Sequence, residues 1–338
     1  MHVSTAYARF IFGIYPGGDA GSDCGLVSGP PGNPLEIERC LKELQGESRP
    51  FVIRAYERFS DRDNPSRWPA QTPRNYARYL HSGRLLDLVL MYQSAAGDIA
   101  GYVEFASELA LRHAGQLYSV QVTEEASFTD GPDAIDGPYP GVQKALVEGV
   151  ITVKDALRRA GHTNVKVGFN STPTFGDKAA FWANIGALGG REFLESVDYV
   201  GLDFFPDVFR PAAADGQPGD IRDSVALVLE TMRNQWLPAC GIGPHVPIDI
   251  AEHGWPTGPV RSFERQAQVL ETVIRTVWNL RQQLNLARYT LFDLRDADSS
   301  TAEVMDDIFH HFGITRDDYS PKPAYAVYRR LIDELGPR

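Results

Sequence analysis

Glutamates stand at the carboxyl ends of two apolar, β-rich runs in this sequence of 338 residues. One run reads VQVTEEAS and ends in Glu124 and Glu125, and the other reads IDIAEHGWPTG and contains Glu252. Two carboxyl groups that face each other across a cleft are the apparatus for cleaving a glycosidic bond. One must stay protonated to give its proton to the departing oxygen. The other must be ionised to attack the anomeric carbon or to activate water.

Eight short apolar runs of this kind recur along the chain, and most are followed by a stretch with helical periodicity. We predict strands over Ala8–Tyr15, Phe51–Tyr56, Leu86–Gln93, Leu117–Glu125, Asn164–Asn170, Val197–Phe205, Val246–Glu252 and Ala287–Leu294. The alternation predicts an α/β fold, a single (β/α)8 TIM barrel, whose chemistry sits at the carboxyl ends of the strands. A doubly wound open sheet uses the same alternation and is the alternative, although no GxGxxG follows the first strand.

The helical stretches complete the repeating units. We predict helices over Pro34–Gln45, Thr72–His81, Asp98–His113, Val142–Ala160, Asp177–Leu194, Ile221–Leu237, Ser262–Gln283 and Pro321–Leu335. Ser320 is the predicted N-cap of the last helix, because the missing N–H of Pro321 costs nothing at a first helical position. Nothing in the sequence resembles a linker or a low-complexity tract, so we predict one (β/α)8 domain over residues 1–338.

The two-residue period of a β-strand predicts which glutamate of the fourth run faces the barrel. The valines of this run should face the helices, which turns Gln121 and Thr123 inward. Glu125 shares the phase of the inward residues, whereas Glu124 continues the valine phase and should turn aside as the strand ends. We therefore predict that Glu125 is the proton donor, facing Glu252 across the barrel.

These segments resemble those of the clan A retaining glycoside hydrolases, a superfamily of (β/α)8 enzymes. In that clan the acid/base glutamate ends strand four, and the nucleophile glutamate ends strand seven. IAEHGWPTG is similar to the clan's nucleophile segment, and VQVTEEAS is similar to its acid/base segment. The resemblance implies that Glu125 is the acid/base, that Glu252 is the nucleophile and that the substrate is a β-linked oligo- or polysaccharide. It assigns no family within the clan.

Some positions depart from the clan's pattern. Glu124 stands where the clan has an asparagine that contacts the sugar 2-hydroxyl, so it either tunes the neighbouring acid or replaces that amide contact. Strand six of many members supplies a tyrosine or histidine that holds the nucleophile. Here GLDFFPD offers Phe204 and Phe205, which cannot form that hydrogen bond. The clan's strand-eight aromatic corresponds to Leu291 or Phe292.

Other residues are candidates for supporting roles. Arg54 matches the clan's arginine that pairs with the nucleophile and would keep Glu252 ionised, and the alternative is a structural salt bridge. Asn170 either contacts sugar hydroxyls or caps the next turn. The ring of Trp255 either stacks on the apolar face of a pyranose or packs within its loop. Asp203 is predicted as a turn former rather than a cleft residue.

Composition and missing motifs argue against other classes. The 33 Lys+Arg and 44 Asp+Glu give a net charge of -11, and an acidic surface repels phosphate backbones, so we expect no nucleic-acid partner. No apolar run approaches the ~20 residues that cross a bilayer, so we expect no membrane partner. The histidines form no HxH or HExxH pattern, the three cysteines are scattered and GxSxG is absent, so neither a metal, a cofactor nor a serine nucleophile is expected. The opening segment lacks the features of a secretory signal, which predicts a cytoplasmic protein by default, or a secreted one if a leader was removed.

The predicted function is hydrolysis of a β-linked glycoside with retention of configuration. The alternative from another class is a barrel of the same fold that binds carbohydrate but is catalytically weakened or inactive. An inverting hydrolase is a third possibility, because the separation of the two carboxyl groups decides the stereochemical outcome.

Overall fold

Eight parallel strands form the centre of the molecule, and the computed structural model describes residues 10–22, 25–209, 220–301 and 308–338. The strands are β1 (Ile11–Ile14), β2 (Phe51–Ser60), β3 (Arg84–Gln93), β4 (Leu117–Val122), β5 (Lys166–Ser171), β6 (Tyr199–Asp203), β7 (Ile248–His253) and β8 (Leu286–Leu291). Each overlaps one predicted strand, so the predicted alternation is confirmed. Residues 8 and 9 of the first predicted strand lie outside the described residues.

Hydrogen bonding closes the eight strands into a barrel. Neighbours pair in the order β1-β8-β7-β6-β5-β4-β3-β2, and a further pairing of β1 with β2 completes the ring. This closure excludes the open doubly wound sheet, in which each of the two edge strands would have a neighbour on one side only. Parallel strands covered on both faces read as continuous apolar runs, and all four residues of β1, IFGI, are buried.

Helices surround the barrel. They are α1 (Pro34–Gln45), α2 (Ile99–His113), α3 (Val142–Arg159), α4 (Ala180–Ser196), α5 (Ile221–Thr231), α6 (Leu237–Cys240), α7 (Phe263–Leu284) and α8 (Pro323–Leu335). A π-helical turn, Met232–Trp236, joins α5 to α6. The longer helices bury one apolar stripe against the strands, as the side-chain spacing of α3 illustrates. Among the helices that the structure describes, none is both long and apolar enough to cross a bilayer.

The prediction of a helix over Thr72–His81 was wrong. The segment forms only a single 3-10 turn, Tyr76–Tyr79. β2 continues beyond the predicted strand, and its Tyr56 pairs antiparallel with the two-residue strand Gln71–Thr72. Because Thr72 precedes Pro73, its backbone is biased toward the extended region and away from a helix.

The start of the last helix also differs from the prediction. Pro321 forms an isolated bridge with Thr315, and the carbonyl of Ser320 accepts a hydrogen bond from the N–H of Arg316. These contacts hold both residues outside the helix. The first helical position is therefore taken by Pro323, two residues later than predicted.

The carboxyl ends of all eight strands open on one side of the barrel, as parallel pairing requires. Polar residues collect there: Asn170 lies near the end of β5, Asp203 ends β6 and Glu252 lies near the end of β7. Glu124 and Glu125 follow directly after β4. The barrel therefore brings residues that are far apart in the sequence to one mouth.

Candidate active site

Glu252 is held at the barrel mouth by two side chains from β2. Arg54 Nε lies 3.2 Å from Glu252 Oε1, and the hydroxyl of Tyr56 donates a hydrogen bond to the same oxygen. Arg54 and Tyr56 are two residues apart on one strand, so their side chains leave it on the same face. Both described partners bind Oε1, which leaves Oε2 of Glu252 free to react.

The Arg54 guanidinium is completely buried and lies between several carboxylates. Nη1 lies 2.8 Å from Asp87 Oδ2, and Nη2 lies 3.2 Å from Glu124 Oε2. Asp87 is shared, because its other oxygen lies 2.9 Å from Arg288 Nη1 deeper in the barrel. A buried guanidinium with fixed carboxylate partners is a rigid support, so the carboxylates at this mouth are held in place rather than solvated.

The structure shows that the strand period does not extend to Glu124 and Glu125. β4 ends at Val122, and Thr123 has a φ of 62°, which turns the chain out of the extended conformation. The side chain of Glu124 therefore enters the barrel, where its Oε2 accepts a hydrogen bond from Gln121 Nε2 at 2.5 Å and pairs with Arg54. The expectation that Glu124 turns aside was wrong.

Glu125 lies at the edge of the same group. Its backbone has a φ of 49°, and its N–H donates to Asn170 Oδ1 at 2.9 Å. Its side chain is half-buried, whereas Glu124 is almost fully buried. No side chain in the described part of the chain forms a hydrogen bond or ion pair with its carboxyl group. Burial, and then the charges of Glu124 and Glu252, raise the pKa of Glu125 well above its usual range.

The environment of Glu252 also opposes ionisation, but only in part. Burial and the nearby charge of Glu124 raise its pKa to about 7, while Arg54 and the Tyr56 hydroxyl act in the opposite direction. Glu125 has no such stabilising contacts at its carboxyl group. The two carboxyl groups therefore differ in their surroundings: Arg54 and Tyr56 favour the ionised form of Glu252, whereas burial favours the protonated form of Glu125.

Asp203 lies in the site, although the sequence predicted that it would form a turn. It is the last residue of β6, and Oδ2 accepts a hydrogen bond from Asn170 Nδ2 at 2.5 Å. One oxygen each of Asp203, Glu124 and Glu252 lie within 4.8 Å of one another. Asn170 therefore uses both ends of its amide to connect Asp203 with the backbone of Glu125, and it acts as a positioning residue rather than a turn cap.

Two further residues of the site, Asp136 and Tyr56, were missed, and nothing in its local sequence marks Asp136. Asp136, in the loop after β4, accepts hydrogen bonds from the N–H groups of Tyr92 and Glu124, both at 2.7 Å. It ties the end of β3 to the glutamate pair, and burial raises its pKa to about 8. Tyr56 shares the phase of Arg54 on β2, and that period could have identified it.

Three acidic side chains could hold a metal ion: Glu124, Asp203 and Glu252. The Arg54 guanidinium already pairs with two of them. A cation in this position opposes binding of a second cation between the same two carboxylates. A metal ion could therefore bind between these carboxylates only if Arg54 moved away or if the binding overcame the repulsion between the two cations.

The aromatic residues named in the sequence divide between the core and the rim of the mouth. Phe204 is buried in the apolar core outside the site, whereas Phe205 packs edge-to-face on Phe292 at the rim, with ring centroids 6.2 Å apart. Phe292 stacks on Tyr15 at 5.3 Å, and Tyr15 contacts Tyr56. The strand-eight aromatic was expected at Leu291 or Phe292. Of these two residues Phe292 lies at the mouth, whereas Leu291 is buried in the core.

Trp255 does not present a ring face to the mouth. Only 4% of the residue is exposed, and it packs in the hydrophobic core. The backbone carbonyl of Trp255 accepts a hydrogen bond from Gln266 Nε2 on α7. The structure thus favours the loop-packing role, because stacking on a sugar requires an accessible face. Gly254 beside it is needed for close approach, since a Cβ there would lie 1.8 Å from the carbonyl oxygen of Phe292.

Comparisons with known proteins find similar folds among solved structures of glycoside hydrolases. No protein-family model and no curated protein sequence matches this chain. Among solved structures, a family 39 glycoside hydrolase from the gut symbiont Bacteroides cellulosilyticus WH2 is 16% identical, with a TM-score of 0.62 over 98% of this chain and 64% of that one. A β-glucosidase from Thermotoga maritima is 13% identical, with a TM-score of 0.59 over 90% and 87% of the two chains.

A β-glucuronidase from Ruminococcus gnavus is 14% identical, with a TM-score of 0.59 over 96% of this chain and 48% of that one. The chain thus spans less than two thirds of the first and the last of these three structures. At such identities the likeness concerns the fold alone. The chain has the (β/α)8 barrel fold that these glycoside hydrolases share.

Proposed function

We propose that this protein is a retaining glycoside hydrolase that cleaves a β-linked oligo- or polysaccharide. The observation that carries the proposal is the arrangement of Glu252, which Arg54 and Tyr56 hold through one oxygen while the other stays free. At the same mouth lies Glu125, a partly exposed residue whose carboxyl group has a pKa raised well above its usual range by burial. This is the division of roles that the reaction needs. The proposal treats residues 1–338 as one catalytic domain.

In the first step, Oε2 of Glu252 attacks the anomeric carbon and forms a covalent bond to it. The bond between that carbon and the glycosidic oxygen breaks, and the proton of Glu125 moves to the departing oxygen. In the second step, a water molecule gives a proton to Glu125 while its oxygen attacks the anomeric carbon. The bond to Glu252 breaks, so both carboxyl groups return to their starting states.

The stereochemistry of the released sugar tests this mechanism. We expect the β-anomer to appear first when the protein cleaves a β-glycoside, because two displacements at one carbon restore its configuration. Proton NMR of the anomeric region, recorded before mutarotation, measures this directly on a panel of aryl β-glycosides and β-linked oligosaccharides. Early release of the α-anomer would instead identify an inverting enzyme.

A barrel that binds carbohydrate without cleaving it is the second candidate. The position of Glu124 near Glu252 favours it. A carboxylate held by Arg54 beside the nucleophile raises the pKa of Glu252, which lowers the fraction of active enzyme. If this candidate is right, oligosaccharides of the panel bind with saturation but are not cleaved during long incubation. Hydrolysis that follows enzyme concentration excludes it.

Tyr56 provides a prediction about pH dependence. Its hydroxyl stabilises the ionised form of Glu252, so Tyr56→Phe should raise the pKa of Glu252 above about 7. A hydrogen bond to a charged group contributes about 1.5–3 kcal/mol, which corresponds to a shift of about 1–2 pH units. Because the nucleophile must be ionised, the acidic limb of the kcat/KM profile should move to higher pH by that amount. An unchanged acidic limb would show that Tyr56 does not control Glu252.

A further inference from the structure

The barrel mouth contains more acidic groups than its contacts neutralise. Four carboxyl groups gather there: Glu124, Glu125, Asp203 and Glu252. In the described part of the chain, Arg54 is the one cation that contacts any of them, and it also pairs with Asp87. Negative charges that are removed from water and uncompensated are costly, so the group must take up protons or a cation.

Asp203 shows that this compensation is incomplete. The residue is 1% exposed, and its Oδ1 is buried without a hydrogen-bond partner among the described residues. Burial and the charges of Glu124 and Glu252 raise its pKa well above the usual range. A buried acceptor of this kind is stabilised when a donor with a positive charge approaches it.

Glu124 also has an unused oxygen. Both of its described partners, Arg54 and Gln121, bind Oε2. Oε1 has no partner among the described residues, so it can accept a hydrogen bond from a bound molecule. Glu124 and Asp203 thus each have one oxygen without a described partner, and both residues belong to the group around Glu252.

The position of these oxygens limits which part of a sugar they can meet. A nucleophile in an attack-ready complex lies about 3–3.5 Å from the anomeric carbon. Oxygens of Glu124 and Asp203 lie within 4.8 Å of an oxygen of Glu252. At that distance they reach a substituent on the carbon next to the anomeric carbon. The other ring neighbour of the anomeric carbon is an oxygen, which carries no substituent.

We propose that the sugar bound at the nucleophile carries an ammonium group on the carbon next to its anomeric carbon, so that the substrates are 2-amino-2-deoxy-β-glycosides. This inference rests on the proposed function, because the anomeric carbon is located through Glu252. The ammonium group donates to Glu124 Oε1 and to Asp203, and it brings a positive charge to the acidic side chains around the nucleophile. The same charge balance disfavours uronic acids, whose carboxylate would add a further negative charge at this mouth.

The first test compares substrates that differ only at that carbon. We expect kcat/KM for 4-nitrophenyl 2-amino-2-deoxy-β-D-glucoside, or for its galacto counterpart, to exceed that of the matching 2-hydroxy glycoside by at least about tenfold. Glu124→Gln should remove most of this preference, because it removes the negative charge and keeps the side-chain shape. The control is Glu148→Gln on α3, the same change at a surface ion pair with Lys144. A preference for the 2-hydroxy member in both pairs would overturn the inference.

The second test measures binding without turnover. Calorimetric titration of the wild-type protein should show that D-glucosamine or D-galactosamine binds at least about tenfold more tightly than the matching neutral sugar. Equal affinities within both pairs would overturn the inference. Binding of Mg²⁺ or Ca²⁺ without preferential binding of either amino sugar would also overturn it. Cleavage of only 2-hydroxy glycosides would refute the inference and leave the proposed function intact. Preferential binding of the amino sugar with no cleavage of any glycoside would refute the proposed function. The conclusion that the site binds a ligand with an ammonium group would remain.

Discussion

Glu252→Gln should reduce kcat/KM for every glycoside that the protein cleaves by at least about a thousandfold. The amide keeps the size of the carboxyl group but has no negative charge with which to bond the anomeric carbon. The oxygen that Arg54 and Tyr56 hold can remain in place, so the variant should still bind substrate. Initial-rate kinetics with purified protein measure the loss, and calorimetry measures the retained binding.

A matched variant separates loss of chemistry from loss of folding. Asp155→Asn changes an exposed carboxylate that pairs with Arg159 on the surface of α3, and we expect unchanged activity. Thermal unfolding of both variants should match that of the wild type closely. Intact-mass spectrometry of rapidly quenched reactions adds a direct readout, because a glycosyl group should appear on the wild type and not on Glu252→Gln. Substantial activity of Glu252→Gln would refute its role as the nucleophile.

Glu125→Gln should have an effect that depends on the leaving group. Without its proton, a poor leaving group such as a sugar hydroxyl departs slowly, and we expect a loss of about 10²–10⁴-fold in kcat/KM. A dinitrophenyl glycoside needs little protonation, so its first step should change far less. The basic limb of the pH profile should also disappear, because activity falls as pH rises through the raised pKa of Glu125.

Glu124→Gln is the control that decides between the neighbouring glutamates. Glu124 pairs with Arg54 and accepts a hydrogen bond from Gln121, so its described contacts are with donors inside the barrel rather than with a leaving group. We therefore expect Glu124→Gln to keep the basic limb and to show no dependence on the leaving group. The reverse pattern, with the leaving-group dependence in Glu124→Gln and not in Glu125→Gln, would assign proton donation to Glu124.

The fold was predictable because its signals are local. A strand that is covered on both faces carries a run of buried apolar residues, and such runs marked all eight strands in the sequence. The two errors in the predicted helices arose where a pairing between backbone segments overrode local preference. The segment after β2 pairs back onto that strand at Tyr56, and Pro321 bridges to Thr315 instead of opening a helix.

The pairing of Arg54 with Glu252 was also predictable, because Arg54 matches the clan's arginine that pairs with the nucleophile. The identity of the inward glutamate was not predictable, because the two-residue period holds only while the backbone is extended. Thr123 and Glu125 adopt positive φ values, and that change redirects Glu124 into the barrel.

The amino-acid sequence alone determined the barrel and the glutamates at the ends of its fourth and seventh strands, because strand periodicity and burial act over a few residues. Only the tertiary structure decided which groups surround those glutamates. Tyr56, Asp203 and Asn170 meet Glu252 and Glu125 through contacts between strands that are far apart in the chain. Closure of the barrel creates those contacts, and the low dielectric inside it gives the buried carboxyl groups their different pKa values.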